Sequence, residues 1–432
     1  MTLFRLLLLI TLLQIHLISV PTSTIVAQLI EWPKQSPTTA TAACDATSYP
    51  HSCSSSLVAG IRDIPSWLPS KERKLLQMSR GNMRIDAVVA NDGSGQFTRI
   101  SDALKAAPDN GGTRFVIYVK EGVYVENVVV ETTKSNVMII GDGMDATVVS
   151  GSLSTAEESS MFSTATFGVL ATDFIASDIG FQNTAGAAKN QAVALAVAGD
   201  RGVFYRCKMV GFQDTLYAQA NRQFFRDCAI YGTIDFICGD SAAVFQNCDI
   251  RPRRPLPGQF NSITAQSRAD PSSETGFSFQ DCRITPAEDL SGVQTFLGRP
   301  WMSYSRTIFM HTYMDSLIDP RGWVGWTSTA APDTVYYAEF GNYGPGAATA
   351  NRVEWRGLHL GISSAEAGRF SVDSFIGGSS WLPGTGVSFN PGTEAGNGMD
   401  VFVGSCDNRK LNMAVLLICL LIVTLLRGVF EE

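Results

Sequence analysis

Charge is scarce in this chain. Only 17% of its 432 residues are Asp, Glu, Lys or Arg, against roughly 25% in an ordinary soluble domain. The net charge of −7 leaves no basic surplus, which excludes an ordinary nucleic-acid binder. Histidine is scarcer still, with four residues at positions 16, 51, 311 and 359. Neither a His-Glu-x-x-His nor a Cys-x-x-Cys string is present, so no metal site is read from the sequence. The Gly-x-Ser-x-Gly elbow is also missing, which argues against a Ser-His-Asp hydrolase. Gly93-Ser-Gly95 and Gly141-Asp-Gly143 stand alone and read as turns. Asn-x-Ser/Thr sequons are absent, and amphipathic helices are few, the best being Ile100 to Ala107. Hydrophobic residues at 45% and aromatics at 10% rule out a disordered chain, and the length is ample for a large core.

Both ends are apolar. Residues 1–27 read as a secretory signal, with Arg5, a Leu-rich run and a polar break at Pro21. Secretion makes disulfides available to the nine Cys, one of which is left over by parity. Residues 28–83 are too poor in periodic apolar residues for a domain of their own. They hold Cys44 and Cys53, a candidate local disulfide, and an Arg73-Lys74 pair suited to processing. Residues 391–432 form a tail whose apolar segment 411–426 contains the run Met413 to Leu426. As a helix that run reaches about 21 Å, short of the ~30 Å apolar core of a bilayer. The tail is read as functionless, with membrane attachment as the alternative.

Between residues 84 and 390 the texture changes to short runs of Val, Ile, Phe and Tyr broken by Gly, Asn and Asp, which predicts strands. These runs repeat. Phe204-Tyr-Arg-Cys207, Phe225-Arg-Asp-Cys228, Phe245-Gln-Asn-Cys248 and Phe279-Gln-Asp-Cys282 share one pattern, with Cys spacings of 21, 20 and 34. Phe174 to Ile179 reads as an earlier copy with Ser177 at the Cys position. A period near 21 predicts an all-β, right-handed parallel β-helix whose coils stack about 4.8 Å apart. The Phe column is then core. The Cys column is either a buried ladder or two disulfides, Cys207–Cys228 and Cys248–Cys282.

Polar residues follow the same period. Gln191, Gln213 and Asp235 lie 22 apart, and Asp214 precedes Asp235 by 21. Two carboxylates and two amides are thus expected on adjacent coils, with Arg299 of Leu297-Gly-Arg-Pro-Trp301 as a charge partner. Paired carboxylates with split proton affinities supply an acid and an ionised base or nucleophile together. The competing reading is a polar ladder that merely satisfies turns. Tyr217, Phe236, Trp301, Trp323 and Trp326 suit stacking on sugar rings, or the core.

Gly122-Val-Tyr-Val-Glu126, Gln191-Ala-Val-Ala-Leu195, Gln213-Asp-Thr-Leu-Tyr217, Asp235-Phe-Ile-Cys-Gly239 and Leu297-Gly-Arg-Pro-Trp301 together resemble plant pectinesterases. The resemblance implies a β-helix enzyme without cofactor or metal, monomeric, secreted to the cell wall and acting on methylated pectin. It implies Asp235 as nucleophile, Asp214 as general acid and base, and Gln191 and Gln213 as oxyanion donors. Arg299 would hold Asp235 ionised, and Trp301 would line the sugar cleft. Cys44–Cys53 resembles the first hairpin of an inhibitor-like pro-region, and a proteinaceous pectinesterase inhibitor is the implied protein partner. Four positions depart from the family pattern: Asn190, Ala196, Cys238 and Asp240. The last two flank Asp235 and are expected to perturb it. Another β-helix polysaccharide enzyme, a lyase or glycosidase, and a non-catalytic pectin-binding relative remain as alternatives.

Overall fold

A computed structural model describes residues 84–327 and 331–393. The signal, Cys44, Cys53, the Arg73-Lys74 pair and the apolar tail lie outside the described residues. Among the described residues, no helix is long and apolar enough to cross a membrane.

Each coil lays down three short strands that turn away from one another. One coil runs through Gly202–Tyr205, Lys208–Val210 and Leu216–Ala218, and the next through Arg222–Arg226, Ala229–Gly232 and Ile237–Gly239. Every strand pairs in parallel with its counterpart on the coil above. The result is a right-handed parallel β-helix with three long faces, here called the first (eleven strands), second (eight) and third (seven) sheets. The 34-residue Cys spacing is one coil enlarged by two loops, between Pro252 and Asn261 and between Gln266 and Gly276.

The chain turns from the first sheet to the second through single residues in the left-handed region: Asp178, Arg206, Asp227, Asn247, Asp281 and His311. Asp and Asn tolerate that conformation best. Arg206 is held there by a two-pronged bond to Asp178, 2.7 Å on each arm, and His311 Nε2 is 2.9 Å from the Thr393 carbonyl.

The turn sets the core. Phe204, Phe225, Phe245, Phe279 and Phe309 stack ring on ring at 4.5–5.0 Å. Beside them Cys207, Cys228, Cys248 and Cys282 form a buried column of free thiols, the ladder of the two readings, and neither the Cys207–Cys228 nor the Cys248–Cys282 disulfide is formed. Each sulfur points to a carbonyl of the preceding coil, as Cys228 to Phe204 and Cys282 to Phe245, both at 3.3 Å. The earliest repeat is also corrected. Tyr205 pairs with Ser177, so the residue opposite Cys207 is Ile179.

Two additions close the solenoid. The helix Ile100–Ala106 lies near its start, its Ile100 and Ser101 N–H groups donating to the buried Glu126 carboxylate. At the other end, residues 370–393 run across the outer face of the first sheet. Phe389 packs against Phe224, Gln246 bonds the Asn390 backbone, Ser278 and Gln280 donate to the Phe370 carbonyl, and Phe370 lies under Arg306.

Truncating the middle of the aromatic stack tests this packing. Phe245→Ala is expected to cost about 3–5 kcal/mol, read from urea denaturation. A loss below about 1 kcal/mol would show that the stack is not a main source of stability.

Candidate active site

The third sheet places the functional side chains. Along its strand Leu216–Ala218, Leu216 and Ala218 enter the core while Tyr217 points outward, because successive side chains alternate. Equivalent residues on neighbouring coils are 21 apart, Leu195 to Leu216 to Ile237. Asp214 and Asp235, each two residues before its strand residue, therefore fall on the same line. Both adopt left-handed backbone, φ 60° and 53°, which lifts them off the strand, and the Asp214 N–H donates to the Ile234 carbonyl at 3.1 Å.

This register corrects the 22-residue column. The Ala192 N–H donates to the Gln213 carbonyl just as the Asp214 N–H donates to that of Ile234, so Gln191 is level with Gln213, but Asp214 rather than Gln213 is level with Asp235. The two amides are level with each other, and the two acids are level with each other one residue further along.

Arg299, just past the strand Thr295–Gly298, grips Asp235 with Nε to Oδ1 at 2.8 Å and Nη2 to Oδ2 at 2.7 Å. Its guanidinium lies 4.2 Å from the Trp326 ring centre. Planar, two-pronged pairing of this kind is the strong form of a charge-assisted hydrogen bond. Asp235 is only 3% exposed, and burial pushes its carboxyl up, opposed by Arg299 and by the Ser262 hydroxyl. Asp214 is buried too, and its side chain makes no hydrogen bond among the described residues. Burial first, and the Asp235 charge second, raise its carboxyl well above the ordinary range, with only Arg299 acting against them. Two buried carboxylates this close do not both ionise. These surroundings favour the proton on Asp214 and the charge on Asp235, which Arg299 holds.

Gln191 and Gln213 are both partly exposed. Gln191 Oε1 accepts from Thr155 Oγ1 at 2.7 Å, a contact that no sequence pattern signalled. Tyr217 lies 6.5 Å from Trp301, which stacks with Trp326 at 6.3 Å between ring centres. Trp326 is 41% exposed, so this aromatic group borders the acids at the surface. Phe236 and Trp323 do not join it. Both are buried in the core, which corrects their reading as sugar platforms. Cys238 pairs with Tyr217 across the sheet as a buried thiol, whose pKa is raised by burial and by both aspartates. Asp240 is tied to Thr275 and Gln266 and does not feature among the groups acting on Asp235.

An ionised carboxylate next to a protonated one can act as nucleophile and acid in a single step, and flanking amides can take up developing negative charge. The proton that burial favours on Asp214 has a thermodynamic signature. The folded protein keeps it where the unfolded chain has lost it, so this contribution is full below pH ~4 and declines as pH rises toward the folded pKa. Asp214→Asn lacks that decline. Its stability relative to wild type is expected to increase from pH 4 to pH 7 in urea melts. A difference that stays flat across that range would show that Asp214 ionises normally.

Comparison with known proteins gives the family. Residues 86–379 match the family model described as pectinesterase. A probable pectinesterase/pectinesterase inhibitor 46 of Arabidopsis thaliana is 53% identical over 303 residues, covering 70% of this chain and 54% of its own length. The chain spans between 54% and 64% of the length of the first four curated relatives. Pectin methylesterase from carrot superposes with a TM-score of 0.71 at 48% identity, over 72% of this chain and 98% of that one. A pectin methylesterase solved in complex with a hexasaccharide gives 0.58 at 27% identity, over 68% and 98% of the two chains. The chain belongs to the pectinesterase family.

Proposed function

We propose that the protein hydrolyses the methyl esters of galacturonate units in pectin, releasing methanol and leaving free carboxylates. The observation that carries this reading is the two-pronged Arg299–Asp235 grip with the buried Asp214, which makes no side-chain hydrogen bond among the described residues, level with Asp235 on the neighbouring coil.

In the first step an Asp235 oxygen attacks the C6 carbonyl, and the Gln191 and Gln213 amides donate to the resulting oxyanion. Collapse expels the methoxy group, which takes the Asp214 proton and leaves as methanol, with galacturonate now joined to Asp235 as an anhydride. Asp214, now ionised, removes a proton from water as the water attacks the galacturonyl carbonyl. Breakdown then frees the pectate carboxylate and restores Asp235. Arg299 keeps Asp235 charged and presents its oxygens in one plane, while Tyr217, Trp301 and Trp326 offer rings to the sugars. No step calls for a cofactor.

The apolar N-terminal run and the polysaccharide substrate together support secretion to the cell wall. The name of the Arabidopsis relative, and the Cys44–Cys53 string, support a proteinaceous pectinesterase inhibitor as a partner.

Methanol and reducing ends assayed together on methylated pectin test the reading. Wild type is expected to release methanol without new reducing ends or unsaturated uronides, and Asp235→Asn to lose roughly 10⁴-fold or more in kcat. Folded wild type that yields no methanol sinks the esterase reading. A variant that keeps its activity removes Asp235 as nucleophile.

A further inference from the structure

A primary amide has two ends of opposite character, an oxygen that accepts and an NH2 that donates. Only the NH2 end stabilises an oxyanion, and the terminal torsion of Gln is broad enough to let the two ends exchange. Some other group must therefore decide which end of Gln191 faces the ester.

The structure holds such a group. Thr155, in the loop after the strand Thr147–Gly151, meets Gln191 twice. Its Oγ1 donates to Gln191 Oε1 at 2.7 Å, and its backbone N–H donates to the Gln191 carbonyl at 2.9 Å. The loop carrying it is itself fixed. Asn183 Nδ2 donates to the Leu153 carbonyl at 2.8 Å, the Ser154 carbonyl accepts from both Glu157 and Glu158, and Glu157 pairs with Lys189 at 2.8 Å. Thr155 and Gln191 thus sit between two cross-ties, one on each side, and Asn190 enters with φ 62° to aim the next residue.

We propose that Thr155 is a positioning residue: its hydroxyl engages the Gln191 carbonyl oxygen and so turns the NH2 toward the oxyanion. The inference rests on the esterase reading above. When the hydroxyl is removed, nothing at the oxygen opposes rotation, and part of the population presents a lone pair to the developing negative charge. The backbone bond from Thr155 to Gln191 does not depend on the side chain, so the loop keeps its place.

The test compares Thr155→Val, which keeps the shape, with Thr155→Ser, which keeps the hydroxyl, in methanol release from methylated pectin. Thr155→Val is expected to lose about 10-fold in kcat with little change in KM, below the roughly 10²–10³-fold cost of deleting an oxyanion donor. Thr155→Ser is expected to stay near wild type. In a Gln191→Ala background, Thr155→Val is expected to cost nothing further, because the amide it orients is gone. Wild-type kcat in Thr155→Val overturns the proposal, as does an equal loss with Gln191 already removed. If Thr155→Val does not fold, Thr155→Ala carries the same comparison. A wild-type enzyme without methanol release speaks against the esterase reading instead.

Discussion

Parallel backbone pairing between successive coils is the constraint on which the rest of this molecule depends. Once Leu195, Leu216 and Ile237 are held in register, every other column follows. The same registration that stacks five phenylalanine rings inside the coil sets two aspartates side by side outside it. Each inter-coil hydrogen bond contributes little by itself. Repetition along three sheets makes the placement of any one side chain rigid, which is what a site working at ångström tolerance requires.

Bringing two acids onto one line carries an electrostatic penalty, and the molecule distributes it unequally. Arg299 and Ser262 serve Asp235, while Asp214 has burial and a charged neighbour and only the Arg299 charge to offset them. That imbalance separates the proton affinities of two chemically identical side chains.

Much of this could be read before any coordinates. The Phe-x-x-Cys pattern gave the coil length, and the strings around Asp214, Asp235 and Arg299 named residues that the fold brings together. The failures have local causes. Counting residues put Gln213 level with Asp235, yet these two coils repeat every 21 residues, which sets the left-handed Asp235 level with Asp214. The same left-handed residue breaks the in-out alternation, so Phe236 turns into the core where alternation along the strand would have left it outside. For the cysteines spacing allowed both a ladder and disulfides, and they are thiols, each sulfur directed at a carbonyl of the coil before. Thr155 was invisible because it lies 36 positions from Gln191 in a loop with no periodicity.

The C-terminal strap has a consequence for how the molecule comes apart. In a simple solenoid each repeat touches only its neighbours, and stability is a sum of local terms, so an array can fray coil by coil from an end. Here residues 370–393 are fastened to Phe224, Gln246, Ser278, Gln280 and His311, which lie on four successive coils. A segment that follows the coils in sequence thereby ties together coils that never meet directly. The linear array becomes a cooperative block, and the coil bearing Asp235 lies within the strapped span, so fraying from the C-terminal end must first release the strap before it reaches the acids.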